Sequence, residues 1–421
     1  MPGRFDIEAV RALYPALGRE RDGKPLVYFD GPAGSQVPQR VADAVRHYLL
    51  EHNANSGGAF VTSHETDDGL AAARRAVADF IGTADADGVA FGPNMTTLTL
   101  SLARAFARTW GRDAEVLVTR MEHDANYTPW VQAARDAGAT VRVVEIRRDD
   151  CTLDLDDLGD KLGPRTKLVA VGAASNAVGT INPVKRIGEL AHAVGAMVFV
   201  DAVHYAPHAA IDVTDWDCDF LVCSAYKFFG PHVGVLWGKP GPMAELPVYK
   251  LRPSSNRLPD RWMTGTQNHE GIAGTLAAID HLADLGRATG LPATDRRGAL
   301  RAAFETIVAY ERGLAGEMLD ALATLDGVRL WGIGDRTRLG ERVPTFAVTH
   351  RRLPPAEIAR HLADRGIFVW DGNYYALPLT EALGVEPDGM VRIGLLHYNT
   401  SAEIDRLIDG LRVLGNPRPS S

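Results

Sequence analysis

Cysteine is scarce: Cys151, Cys218 and Cys223 are the whole complement of a 421-residue chain. Three residues so irregularly spaced cannot build a disulfide framework or a cysteine-rich zinc site, and no metal is expected. Such usage fits a reducing cytoplasm. Cys223 closes the apolar run Phe220-Leu221-Val222-Cys223, where a buried structural thiol is the expectation. No Lys/Arg stripe offsets the net charge of -8, which excludes a nucleic-acid backbone as the main partner. Long apolar runs are missing too, and the opening MPGRFDIEAVRALYPAL, acidic early on, reads as neither a signal peptide nor a membrane span. There is no internal repeat, and only 416–421 reads as a disordered tail. Lysine is rare as well, confined to positions 24, 161, 167, 185, 227, 239 and 250.

What is present is ordinary globular composition, 46% hydrophobic and 23% charged, in a chain long enough for a large domain and a smaller one. Short apolar runs at 88–91, 115–118, 141–144, 168–171, 197–200, 220–223 and 233–237 alternate with amphipathic stretches such as 98–109 and 184–194. That pattern predicts an α/β fold on a mainly parallel, seven-stranded sheet. A polar, irregular stretch at 253–268 leads into a long helical region from about 271 to 325. Segments 345–348, 356–365, 391–395 and 402–414 then read as a smaller α+β domain. We expect a large domain over 20–285 and a small one made of 1–19 with 286–421.

Ligands on such a sheet collect at the carboxyl ends of the strands. Polar residues recur just past the predicted strands: Asn94 and Thr96, His123, Asn176, Asp201 and His204, then Ser224 and Lys227. One such residue would be a cap or a turn former; their recurrence points to a site. Lys227 follows a predicted buried strand within SAYKFFGP, and its local sequence also fits a snorkelling side chain. Asp201 ends another apolar run, where a carboxylate needs a cationic partner to stay ionised. Pyridoxal 5'-phosphate calls for a lysine to form a Schiff base, a carboxylate at the ring nitrogen and donors for its phosphate. Lys227, Asp201, and Asn94-Met95-Thr96 with Ser224 match those three needs.

These segments, in this order, resemble the class V aminotransferase family of fold-type I pyridoxal phosphate enzymes, most of all its cysteine desulfurase branch. The likeness runs through YFDGPAG at 28–34, EHDAN at 122–126, SNAVGT at 175–180, DAVH at 201–204, SAYKFFGP at 224–231, GTQN at 265–268, and Arg392 with YNT at 398–400. It implies that His123 stacks on the cofactor ring, Asp201 pairs with the pyridine nitrogen and Lys227 carries the cofactor. Asn176 and His204 would then lie near the ring's phenolic oxygen, His204 standing where the branch usually has glutamine. The phosphate would be held by the Met95 backbone N–H, Thr96 and Ser224. Tyr226, in place of the usual histidine before the lysine, could donate to the phosphate too. Thr266 resembles the threonine that reaches the phosphate from the other subunit of a homodimer. Arg392 matches the arginine that binds the substrate α-carboxylate, although by itself it also fits a surface salt bridge.

One departure bears on the reaction. The desulfurase branch carries a persulfide on a loop cysteine shortly before the substrate arginine; here the aligned stretch is WDGNYYA at 370–376, with Tyr375 at the cysteine's position. A phenol cannot attack sulfur as a thiolate does, and no cysteine follows 223. The expectation is therefore cleavage of a C–S bond in a small cysteine-like L-amino acid without a persulfide cysteine, with Tyr375 and Asn176 near the substrate. Transamination or epimerisation is the alternative on this scaffold, and a catalytically silent pyridoxal-binding regulator a remote one. Ser-x-x-Lys also occurs in penicillin-binding enzymes, but their Ser-Asp-Asn and Lys-Thr-Gly motifs are missing.

Overall fold

A computed structural model describes residues 5–415; the tail expected at 416–421 lies outside the described residues. The principal sheet has seven strands: β1 (Val89–Gly92), β2 (Glu115–Thr119), β3 (Thr140–Val144), β4 (Thr166–Gly172), β5 (Met197–Asp201), β6 (Phe220–Ser224) and β7 (Gly234–Gly238). Their spatial order is β1-β7-β6-β5-β4-β2-β3, and only β7 runs antiparallel to its neighbours. Every apolar run read as a strand forms one, with ends that differ by a residue or two; the first and last are shifted by one residue, to Val89–Gly92 and Gly234–Gly238.

A mainly parallel sheet is covered on both faces, and side chains along a strand alternate between them. On β5, Phe199 packs against Leu102 and Phe106 of α2 (Met95–Ala107) and Trp130 of α3 (Thr128–Ala137). Val198 and Val200 point to the other face, with Phe80 of α1 (Val61–Ile81), Ile187 of α4 (Val184–His192) and Ile279 of α5 (His269–Ala288). Both faces of the strand are dry, so the polar groups at its end have to be satisfied locally.

The segment 253–268 is irregular apart from a single 3-10 turn at Asp260–Trp262. The expected helical region beyond it divides into α5 and α6 (Arg296–Ala323). Gly290, at φ 73°, and the following Leu291-Pro292 break the first helix, and Asp295 caps the second by accepting from the Gly298 N–H at 2.7 Å. A second sheet, in the order β8-β9-β11-β10, is wholly antiparallel: β8 (Val328–Trp331), β9 (Thr345–His350), β10 (Trp370–Gly372) and β11 (Met390–Gly394). Phe346, Val391 and Ile393 of this sheet pack on Met318 of α6, Leu362 of α7 (Pro355–Ala363) and Leu407 of α8 (Ser401–Gly415). The short strands β8 and β10 escaped the sequence reading because half-exposed runs of three or four residues carry little periodicity. Among the described residues no helix is long and apolar enough to cross a membrane.

Candidate active site

The carboxyl ends of β5 and β6 and the start of α2 converge on a cleft of about 50 Å³ lined by Met95, Thr96, His123, Asn176, Asp201, His204, Tyr226 and Lys227. It shares Thr96, His123, Asn176, Tyr226 and Lys227 with an outer vestibule of about 950 Å³, which Arg392, Trp370, Tyr374 and Tyr375 also line.

Lys227 is the one buried lysine of the chain, which removes the snorkelling alternative. Its Nζ donates to the carbonyl of Pro32. Burial, reinforced by the positive charge of Arg392, pulls its pKa down to about 7. Asp201 shows the converse: burial raises its pKa to about 6, and one oxygen accepts the Val203 N–H at 2.9 Å. Among the described residues Lys227 is the one cation acting on it, a weak counter-charge for a carboxylate so enclosed.

The α2 amino terminus supplies the donors. Ser224 Oγ accepts from the Met95 N–H at 3.0 Å, tying the end of β6 to the start of the helix. That approach needs Gly234 on β7, because a Cβ there would lie 2.4 Å from the Asn94 carbonyl carbon. Thr96 faces both cavities. The Asn94 side chain accepts from Thr97 N–H at 2.9 Å and Thr97 Oγ1 at 3.0 Å as the cap of α2, and it is not among the residues lining the cleft. Its preference for that position is the ordinary one of an N-cap residue.

His123 Nδ1 accepts the Ala125 N–H at 3.0 Å, so the ring proton of the neutral imidazole sits on Nε2. Burial, with Lys227 and Arg392 nearby, holds its pKa down at about 4 and keeps the ring neutral. His204 lines the cleft and is engaged at Nε2 with Thr345 Oγ1 (2.9 Å); burial pushes its pKa well below the usual range. Tyr226 stacks on His232 at 5.0 Å and 12°. Arg392 is buried, which removes the surface salt-bridge alternative. Its Nη1 donates to the Asn176 carbonyl at 3.0 Å, while its Nε and the Asn176 Oδ1 have no protein partner. Thr266 lies on an exposed turn and is not brought to this chain's own cleft.

Two contributors went unnoticed in the sequence. Asp30 is half-buried, with its Oδ1 enclosed and unpartnered and its carboxyl raised to about 6 by burial against the pull of Arg392 and Lys227. Glu122, beside His123, accepts from Thr119 Oγ1 and Asn126 Nδ2, both at 2.6 Å, and burial raises it to about 8. Tyr374, within the aromatic WDGNYYA stretch, covers Arg392. Asp30 and Glu122 sit inside the quoted motifs, so their place beside the functional residues was the available signal.

The donor set fits pyridoxal phosphate: a buried, readily deprotonated amine, an under-compensated buried carboxylate, and hydroxyl and amide donors at a helix amino terminus, where an anion is favoured. Fold and site together define a fold-type I pyridoxal phosphate enzyme. The aminotransferase class-V family model matches residues 27–296 and 298–407, and the chain belongs to that family, whose members depend on pyridoxal 5'-phosphate. Among curated relatives, a cysteine desulfurase of Pectobacterium atrosepticum is 34% identical, over 98% of this chain and 100% of its own length. A probable cysteine desulfurase of Halalkalibacterium halodurans is 33% identical, over 96% of each. Among solved structures, the apo cysteine desulfurase of Thermococcus onnurineus NA1 superposes with a TM-score of 0.85 at 26% identity, covering 98% of both chains. The chain is thus a cysteine desulfurase-like enzyme of the class V family.

Proposed function

We propose that this enzyme cleaves the C–S bond of a cysteine-like L-amino acid without forming a protein persulfide, acting as a cytoplasmic homodimer. The observation that carries this reading is the state of the loop at 373–376. The Tyr375 carbonyl accepts the Asp124 N–H at 2.6 Å, the Tyr374 carbonyl accepts Asn176 Nδ2 at 3.0 Å, and the Tyr375 ring stacks on His123 at 5.5 Å and 23°. A loop tied at both carbonyls does not behave as a swinging carrier, and it bears a phenol where a carrier needs a thiol. All three cysteines are buried, and burial raises every thiol pKa, Cys151 to about 11, so none supplies a ready thiolate.

Lys227 would hold the cofactor covalently, Asp201 its ring nitrogen, and Ser224, Met95 N–H and Thr96 its phosphate; Asn176 and His204 would lie at the phenolic oxygen. When bound, the cofactor supplies an electron sink for charge developing at the substrate Cα. Arg392 and Asn176 orient the substrate through its carboxylate. Lys227 Nζ, deprotonated near neutrality, is suited to take the Cα proton, and neutral His123 to donate from Nε2 to the departing sulfur. The Cβ–S bond breaks, sulfur leaves as the thiol, and water adds to the three-carbon remainder to give pyruvate and ammonium. No oxidant or reductant is consumed. The proposed large domain, 20–285, carries the cleft; 1–19 with 286–421 supply Arg392 and the loop, and Arg11 is bound to Glu403 at 3.0 Å.

Incubation of the yellow holoenzyme with L-cysteine and S-methyl-L-cysteine tests the reading. Sulfide or methanethiol should appear with equimolar pyruvate and ammonia, without any added keto acid. Dependence on a keto acid would make it a transaminase, and loss of optical purity without pyruvate an epimerase. Borohydride reduction should place the cofactor on Lys227 in a peptide map.

A further inference from the structure

Resting on the C–S cleavage reading, we propose that the substrate carries a bulky apolar, preferably aromatic, group on its sulfur, and that Trp370 and Tyr375 select for it. A thiol-bearing CH2 needs only the corner of the vestibule beside Lys227, His123 and Arg392, yet the vestibule as a whole spans about 950 Å³. That is the size of pocket, about 300–1,000 Å³, that takes a drug-sized ligand.

The lining matches an apolar occupant. Leu100, Pro129, Trp370, Tyr375 and Pro387 contribute to the walls. Among the described residues the only lysine or arginine side chains lining it, Lys227 and Arg392, are buried and assigned to cofactor and carboxylate, whereas Asp124 and Asp371 are acidic. A second carboxylate on the substrate's sulfur substituent would meet those two acids with no free cation to offset them.

Trp370 and Tyr375 are placed with unusual care for exposed aromatics. Trp370 stands directly opposite Arg392 in the antiparallel pair of β10 and β11, so both side chains project from the same face of the sheet. Trp370 therefore flanks the group that holds the carboxylate while remaining 52% exposed. Tyr374 and Tyr375 lie at φ 53° and 60°, the left-handed region that bulky residues avoid at a cost of about 1–3 kcal/mol each. The backbone bonds to Asp124 and Asn176 hold them there, and the result is a tyrosine ring, 72% exposed, stacked beside His123, the proposed donor to sulfur. An aromatic substituent leaving from that point would be received between the two exposed rings, in the offset or edge geometry that aromatic groups prefer.

The test compares S-benzyl-L-cysteine, S-methyl-L-cysteine and S-(2-carboxyethyl)-L-cysteine as substrates of the holoenzyme. Calorimetric binding of non-cleavable L-homophenylalanine and L-alanine runs alongside. We expect kcat/KM for the benzyl compound to exceed that for the methyl compound by about tenfold or more, and the carboxyethyl compound to be the poorest. Homophenylalanine should bind about tenfold or more tightly than alanine. In Trp370→Ala and Tyr375→Ala, whose melting temperatures verify folding, both ratios should shrink toward one. Equal kcat/KM for the benzyl and methyl compounds with equal binding of the two analogues, or ratios unmoved by both substitutions, overturns the inference and leaves C–S cleavage standing. Tight homophenylalanine binding that both substitutions weaken, with no thiol released from any compound, upholds the pocket assignment and overturns the cleavage reading instead.

Discussion

The guanidinium of Arg392 lies 4.4 Å from the centre of the Tyr374 ring, whose own hydroxyl donates to the Met390 carbonyl. The tyrosine thus fixes the arginine from one side by a cation–π contact and is itself anchored to the strand that carries the arginine. Arg392 is thereby held in one orientation beside the vestibule.

The first prediction follows from that arrangement. A charge-assisted bond from arginine to a carboxylate contributes about 1.5–3 kcal/mol, so Arg392→Ala should lower kcat/KM by about tenfold to a hundredfold or more. Arg392→Lys should recover little of it, because an ammonium cannot reproduce the fork or the stacking on Tyr374. Unchanged steady-state kinetics in the alanine variant would remove Arg392 from the substrate site.

Glu122 predicts how stability depends on pH. Its folded pKa, about 8, lies above the ordinary glutamate value, so the folded state binds the extra proton. Its contribution is fully present below the unfolded pKa, is lost as pH rises through the window up to about 8, and stays lost above it. Glu122→Gln keeps a donor and an acceptor for Thr119 and Asn126 without the charge. Thermal melts of the variant should show a smaller loss between pH 6 and pH 9 than the wild type, by on the order of a few kcal/mol at the alkaline end. Parallel curves would show that the carboxylate is not held neutral.

Replacing Cys151, Cys218 and Cys223 together by serine should leave turnover within roughly a factor of a few, assayed well below the melting temperature. Stability should fall, since each serine hydroxyl would be buried in place of a thiol. A substrate-dependent persulfide found by mass spectrometry on any of the three, lost together with activity in its serine variant, would restore a persulfide mechanism.

Thr266 can serve a site only in a second copy. Lys227→Ala and Thr266→Ala chains, mixed and reassociated, should therefore regain activity, because each hybrid dimer contains one site with both residues intact. The lysine variant alone should be inactive, and the threonine variant should bind the cofactor more weakly. A monomer by analytical ultracentrifugation, or mixtures no more active than the average of their parents, would fail this prediction.

How much was legible beforehand follows from the range of each interaction. The seven strands were readable because a sheet buried on both faces demands unbroken apolar runs, and Lys227, Asp201, His123 and Ser224 could be picked out because each lies at or within five residues of the end of such a run. The cap formed by Asn94 was not legible, because position at a strand end does not say whether a side chain faces the ligand or turns back to its own helix. Tertiary structure alone decided that Thr345, from the other sheet, engages His204, and that the Pro32 carbonyl receives Lys227. It alone set Trp370 opposite Arg392. Those partners are distant in sequence and bear no local pattern, since antiparallel register and burial become defined only once the two sheets have packed. The chain's own order of residues therefore determined the scaffold and the cofactor chemistry, whereas the shape of the vestibule was decided by the fold.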